Sequence, residues 1–307
     1  MKSRWLKAKR LSAFSGEPYA GNPAWVILGA EELTDEQMQI LAAELNPLSD
    51  TAFLQITPSQ DADLVLKFFS QGGEIGFSGH ATVATYFALS GEDIFPLKEP
   101  ITAIRQKTKS GIQYIELRVA ENKVHRVTIS VGGPKFVTNE FNIVAIGRML
   151  GIPPKEITDT NLPLDTVSTG FYSVIVPVKN LSQLLDLKPD FALIEKFCNR
   201  IGAAGIQVFT LETFEKESDA HVRHFAPAVG IPEDPVSGGA CASLGCYLVR
   251  YRLIPVDHFN RIIIEQGQNQ KKMGKVYVHV QLYKDQIAVV KVGGQAVVTF
   301  EGMISIP

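Results

Sequence analysis

The chain has 307 residues, 45% of them hydrophobic and 20% charged, with 30 Lys plus Arg against 32 Asp plus Glu. This composition excludes a disordered chain, and a formal net charge of −2 lacks the basic excess of a nucleic-acid-binding protein. The length suits two domains or one large one, either able to bury a core without disulfide or metal support.

No membrane partner is expected. The longest apolar stretch, Ala24 to Ala30, falls far short of the roughly 20 residues of a spanning helix. The N-terminal basic residues Lys2, Arg4, Lys7, Lys9 and Arg10 precede no apolar h-region, so they do not form a secretory signal. They read as the solvated edge of a first strand. Cys198, Cys241 and Cys246 cannot all pair and lack zinc-site spacing; they read as reduced thiols of a cytoplasmic protein.

In chain order, Trp5 to Leu11 predicts a short strand, Phe14 to Pro23 a turn-rich segment, and Ala24 to Leu28 a second strand. Thr34 and Gln37 form a capping box ahead of the helical stripe Met38, Leu41, Ala42 and Leu45, which Pro47 ends. Strands follow at Thr51 to Thr57 and Leu64 to Ser70. A glycine-rich loop from Gly72 to His80 then runs into Ala81 to Ser90, a small-residue segment apolar all round and hence a buried helix. Strands are expected at Ile101 to Gln106, Ile112 to Val119 and Val124 to Val131.

Gly132-Gly133-Pro134 marks a boundary. Beyond it the pattern gives helices near Ile143 to Leu150 and Phe191 to Ile201, and strands at Phe171 to Val178, Gly205 to Leu211 and His221 to Phe225. Ala226 to Pro235 reads as a loop. Ser237-Gly238-Gly239-Ala240 opens a second small-residue helix reaching Arg250. The tail is β-rich, at Arg261 to Glu265, Val276 to Leu282, Ile287 to Val292 and Gln295 to Phe300.

A faint duplication runs through this order. Phe69-Ser70 aligns with Phe225-Ala226, and Gly79-His80-Ala81-Thr82 with Gly238-Gly239-Ala240-Cys241. In each copy a strand ends, a loop follows and a buried helix begins at glycine. Such a junction presents unpaired N–H groups and a partial positive charge, and glycine lets a ligand approach the backbone. It suits a carboxylate. Three titratable residues accompany the junctions: Asp50, His80 and Asp234. Singly each has a bland structural explanation; together they form the acid/base set of proton transfer beside a carboxylate. A phosphate loop, a nucleophile elbow and a dinucleotide fingerprint are all missing. His221-x-x-His224 falls on a strand, where residues three apart point to opposite faces, so no metal site is expected there.

The ordered motifs resemble those of the phenazine-biosynthesis PhzF-like isomerases, which have the diaminopimelate-epimerase-like fold. They are Phe14 with Tyr19 to Ala24, Ala43 to Phe53, Glu74 to Thr82, Val167 to Gly170, Arg223 to Pro227, Glu233 to Gly238, Gln266-Gly267 and Val292 to Ala296. The resemblance implies an α+β fold of two similar domains, each a mixed β-barrel-like sheet around a central helix. The first would span 1–133 and the second 134–286, with the strands at about 287–307 able to return to the first. It implies a cytoplasmic homodimer that uses no cofactor and acts on a small carboxylate. Asp50, His80 and Asp234 fall on the family's catalytic positions. Asn22, Ser78, Gly79, Ser237, Gly238 and Gly239 fall on its substrate-binding segments.

Three departures follow from the same comparison. Asp50 stands where the family carries glutamate, shortening the reach by about 1.5 Å; Pro47 interrupts the usual run; and Gly239 replaces a serine. The expected activity is therefore a cofactor-independent isomerisation of a small cyclic or unsaturated carboxylic acid, different from that of the phenazine enzyme. Two other readings accompany it. One is a catalytically weak small-molecule-binding or interaction protein. The other is an epimerase working without cysteine, since Ser78 and Ser237 occupy the positions of the two thiols in cysteine-dependent relatives, and a hydroxyl is a far weaker acid.

Overall fold

The computed structural model describes residues 5–45, 49–92, 94–137 and 139–307. Lys2 and Arg4 of the basic cluster and the Asn46, Pro47 and Leu48 of the segment before Asp50 lie outside the described residues. The chain divides into two compact units, Met1–Ser130 with Gly293–Pro307, and Val131–Val292.

The first unit contains β1 (Trp5–Ala13), β2 (Asn22–Leu28), α1 (Asp35–Leu45), β3 (Thr51–Gln55), β4 (Leu64–Ser70), β5 (Gly73–Ile75) and α2 (Gly79–Ala88). β6 (Ile101–Thr108), β7 (Gly111–Ala120) and β8 (Lys123–Val131) lead to the division. The second unit contains β9 (Lys135–Val137), α3 (Ile143–Leu150), α4 (Pro154–Thr158), β10 (Asp165–Ser168), β11 (Tyr172–Pro177), α5 (Leu181–Leu185), α6 (Phe191–Ile201), β12 (Gly205–Thr210), β13 (Ala220–Ala226), β14 (Ile231–Asp234), α7 (Gly238–Arg250), β15 (Phe259–Gln266) and β16 (Gly274–Tyr283). β17 (Gln286–Gly294) carries the chain back, and β18 (Ala296–Ser305) belongs to the first unit.

The two units repeat one topology. In the first, β2 and β3 run parallel, β3 and β4 antiparallel, β4 turns back on β5, α2 follows, and β6 returns parallel to β4 before pairing with β7. In the second, the same sequence of pairings runs β11 with β12, β12 with β13, β13 with β14, then α7, then β15 parallel to β13 and antiparallel to β16. The faint duplication in the sequence is this repeat: β4 ends at Ser70 and β13 at Ala226.

Each unit wraps its sheet around one small-residue helix. In α2, Ala81, Val83, Ala84, Tyr86 and Ala88 are all buried, so the helix has no solvent face. Its polar atoms are satisfied internally: the Tyr86 hydroxyl donates to Gln106 Oε1, and Thr82 and Thr85 donate back to the carbonyls of Ser78 and Ala81. In α7, Gly245 lets the helix lie against β16, because a Cβ there would meet Val278 Cγ1 at 2.7 Å. β12 and β13 are buried along their whole length. One face, carrying Ile206, Val208 and Phe225, packs on Ile146, Leu150, Ile194 and Cys198 of α3 and α6. The other carries Phe209, whose ring meets Tyr247 of α7.

On α1, Thr34 Oγ1 accepts from Gln37 N and Gln37 Oε1 accepts from Thr34 N, the expected capping box, worth about 1 kcal/mol for such a cap. Met38, Leu41 and Ala42 turn inward onto Ile27, Phe53 and Phe69.

Two expectations need correction. β1 is not an edge strand: it pairs with β2 on one side and β18 on the other. Lys9 is accordingly buried, with its ammonium 2.7 Å from Glu92 and donating to the carbonyl of Ala88 at the end of α2. Burial of a lysine demands such partners, and the favourable end of the helix dipole supplies one. Second, Ala226 to Pro235 is not simply a loop. It holds a 3-10 turn at Pro227–Val229 and then β14, held by pairing with β13 and not by local propensity. β5 occupies the equivalent place inside the first glycine-rich loop.

Candidate active site

The first junction lies in the first unit. Ser78 caps α2, its hydroxyl accepting from Ala81 N while its carbonyl accepts from Thr82 N. The N–H groups of Gly79 and His80 are the remaining ones of the first turn, directed out of the helix end. β3 begins beside them. Ser49 and Asp50 precede it, and two contacts tie them to β2: Ser49 Oγ donates to Pro23 O at 2.7 Å, and Trp25 N donates to Asp50 O. This brings the buried Asn22, at the start of β2, to the same end of the sheet.

His80 is the hub of the junction. Its Nε2 lies 3.0 Å from Ser49 Oγ and 3.8 Å from a carboxylate oxygen of Asp50, and its Nδ1 lies 3.3 Å from Ser78 Oγ. Because Ser49 commits its hydroxyl hydrogen to Pro23, it can only accept from His80, which places a hydrogen on Nε2. Nδ1 lies against the Ser78 hydroxyl, whose lone pair serves Ala81 N. The imidazole is thus held in one orientation by two serines. The side chains of His80 and Asp50 retain 15% and 17% exposure, enough to meet a substrate from a largely dry wall. Ser49 was not among the expected site residues. Its place immediately before Asp50 was the available signal.

The second junction lies in the second unit and repeats the first. Ser237 caps α7, accepting from Ala240 N through its hydroxyl and from Cys241 N through its carbonyl. The N–H groups of Gly238 and Gly239 point out of this end. Asp234 is the last residue of β14, in register with His224 on β13. The buried amide of Gln266 clamps the turn: its Nε2 donates to Asp234 O at 2.7 Å and its Oε1 accepts from Ser237 N at 3.0 Å. Gly239 faces the ring of Phe171, where an added Cβ would come within 2.5 Å of Cε1. A serine at position 239 would displace that ring.

Thus Asp50, His80, Ser78, Gly79 and Asn22 gather in one unit, and Asp234, Ser237, Gly238 and Gly239 in the other. Ser78 and Ser237 serve as helix caps. Cys241 is fully buried one turn into α7 and burial raises its thiol pKa strongly; Cys198 and Cys246 are likewise buried and pushed up to about 12. All three are free. His221 and His224 do share a strand: His221 Nδ1 lies 3.1 Å from Glu265, whereas His224 stacks on Phe171.

Residues 11–302 match the family described as phenazine biosynthesis-like protein. The chain belongs to that family. Its relatives include an uncharacterized isomerase of Clostridium acetobutylicum, 32% identical over 295 residues and covering 95% of each chain. A phenazine biosynthesis protein of the PhzF family from Bacillus anthracis is similar in structure, with a TM-score of 0.89 at 31% identity over 98% of this chain and 99% of that one. A hydroxyproline epimerase from Agrobacterium vitis superposes with a TM-score of 0.66 over 99% of this chain and 92% of its own; at 13% identity that likeness shows the shared fold alone. The α+β, epimerase-like fold and the isomerase-type activity of the phenazine biosynthesis-like family are therefore those of this chain. Among the described residues no helix is long and apolar enough to cross a membrane.

Proposed function

We propose that the protein isomerises a small cyclic or unsaturated carboxylic acid by general acid/base catalysis, with Asp50 carrying the proton. The observation that carries this reading is the placement of Asp50 3.8 Å from His80 Nε2, at the open first turn of a buried helix. The Asp50 carboxylate removes a proton from carbon. The C–H electron pair moves into the conjugated framework and the double bond shifts. The resulting carboxylic acid of Asp50 returns the proton at the new terminus, so atoms and charge balance within one substrate. Such a positioned group contributes about 100- to 10,000-fold.

The other residues orient and polarise. His80, its Nε2–H given to Ser49 and its other nitrogen against Ser78, holds the wall beside Asp50 in place. The N–H groups at Gly79, at the start of the helix that carries His80, suit a substrate carboxylate, and the second unit offers a like junction at Gly238 and Gly239 with Asp234 as its acidic group. The residues themselves carry the acid and base, so this reading assigns the chemistry to no cofactor. The buried, reduced thiols support a cytoplasmic setting. The caps Ser78 and Ser237 and the buried Cys241 tell against two-thiol racemisation.

The test is solvent deuterium incorporation. A panel of small cyclic and unsaturated carboxylic acids is incubated with the protein in D₂O and followed by NMR and mass spectrometry, beside Asp50→Ala. New C–D signal or a shifted double bond that disappears in the variant supports the proposal. Exchange that persists in Asp50→Ala overturns it.

A further inference from the structure

Phe171 immediately precedes β11 in the second unit and is 37% exposed. Its edge rests on Gly239: a Cβ built there would lie 2.5 Å from Cε1 and 3.1 Å from Cζ. The ring therefore walls the end of α7 at which the Gly238 and Gly239 N–H groups point outward. One face of the ring is occupied. It stacks on His224, with centroids 6.0 Å apart and planes 23° from parallel. The residue's remaining exposure leaves part of the ring to solvent.

His224 makes this wall unusual. It is 2% exposed, and among the described residues neither ring nitrogen has a hydrogen-bond partner. It lies over Gly205, where a Cβ would come within 3.0 Å of Nε2. Directly across the β12–β13 pair sits Gln207, fully buried and also without a partner among the described residues at both amide atoms. Aliphatic side chains would fill this layer without leaving polar atoms unsatisfied. What a flat neutral imidazole supplies instead is a rigid backing that holds Phe171 parallel to itself, with its outer face presented beside the helix end.

We propose that the outer face of Phe171 is a stacking platform that selects planar carboxylates. An sp²-carbon ring or conjugated chain would lie along the phenyl face while its carboxylate meets the N–H groups of Gly238 and Gly239. The assignment of a carboxylate substrate rests on the isomerase reading above; the platform makes it a flat one. Phe171 is then a specificity-determining residue and His224 a positioning residue acting through it.

Binding alone tests this, independently of turnover. Benzoate and cyclohexanecarboxylate carry the same number of carbons and the same charge, and differ in flatness. Each is titrated into the full chain by NMR, reading the Gly238 and Gly239 amide resonances. An aromatic stack predicts that benzoate binds about 3- to 10-fold more tightly. Phe171→Leu abolishes that preference by weakening benzoate, and Phe171→Tyr retains it. Because Phe171 is exposed, both variants are expected to fold, which their circular dichroism checks. Equal affinities in the native protein, a preference surviving Phe171→Leu, or no saturable benzoate binding each overturns the proposal. Deuterium exchange with no preference for flat probes would sink the platform and spare the isomerase; the reverse result would do the opposite.

Discussion

His80 Nε2 stands 3.8 Å from the Asp50 carboxylate and only 3.0 Å from the Ser49 hydroxyl. The serine thus fixes the ring, and the aspartate stands beside it as the group that carries the proton in the proposed reaction. Asp50→Asn keeps the shape and removes the proton-carrying function. We expect deuterium exchange to fall about 100- to 10,000-fold with no change in thermal midpoint beyond a few degrees. Ser49→Ala leaves the base in place and frees the imidazole, so its effect is smaller, about 10-fold. Asp50→Glu adds about 1.5 Å of reach to a site set for the shorter acid, and a misplacement of that size costs about 100-fold. An Asp50→Glu variant faster than the native protein would show that the Ser49–His80 pair does not set the reacting distance.

Gln266 performs a different task in the second unit, where a single amide closes the turn between Asp234 and Ser237. Gln266→Leu leaves Ser237 N and Asp234 O without that partner in a buried place. The expected loss is about 1–3 kcal/mol in urea unfolding. It should also broaden the amide signals of Gly238 and Gly239, since the start of α7 loses its tether. A variant as stable as the native protein, with sharp amides, would show that the turn holds itself.

These two junctions were legible because small residues at the start of a helix leave a strong mark. Ser-Gly-His and Ser-Gly-Gly recur ahead of segments too apolar for any surface helix, and Thr34 with Gln37 announces α1 by local chemistry alone. The misreadings were of tertiary origin. Lys9 looked solvated because its partners Glu92 and Glu301 lie far along the chain. β14 looked like a loop because Pro232 and Gly230 dominate local propensity, while its pairing with β13 is set by the fold. Phe171 stands one residue past the Val167 to Gly170 motif, and only the contact with Gly239 reveals its place.

Arg223 and Glu233 form a part-buried bidentate pair, with Nε and Nη2 each 2.9 Å from a carboxylate oxygen. The third nitrogen donates to the carbonyls of Leu184, Leu185 and Leu187 around the end of α5. Removing one charge strands the other, so Glu233→Gln is expected to cost about 3 kcal/mol in urea unfolding. Replacing both, as Arg223→Met with Glu233→Met, removes the stranded charge and should recover part of that loss. A double variant no more stable than Glu233→Gln would show that the arginine's carbonyl contacts matter more than the ion pair.

His224 gives stability a pH dependence whose direction is fixed by burial. Desolvation lowers its pKa below the usual imidazole value, against the opposing pull of Asp234 and Glu233. In the unfolded chain the same imidazole takes up a proton near pH 6.5. As pH falls through that value, the unfolded state binds protons that the folded state does not, and stability declines. The slope approaches about 1.4 kcal/mol per pH unit and flattens once the folded protein itself protonates. His224→Phe keeps the stack on Phe171 and removes the titration. Urea unfolding of both proteins at pH 7.5, 6.0 and 5.0 isolates the effect as the difference between their slopes. The native protein should lose stability toward acid faster than the variant. Equal slopes would mean that His224 is solvated in the folded protein and that its ring is not sealed behind Phe171.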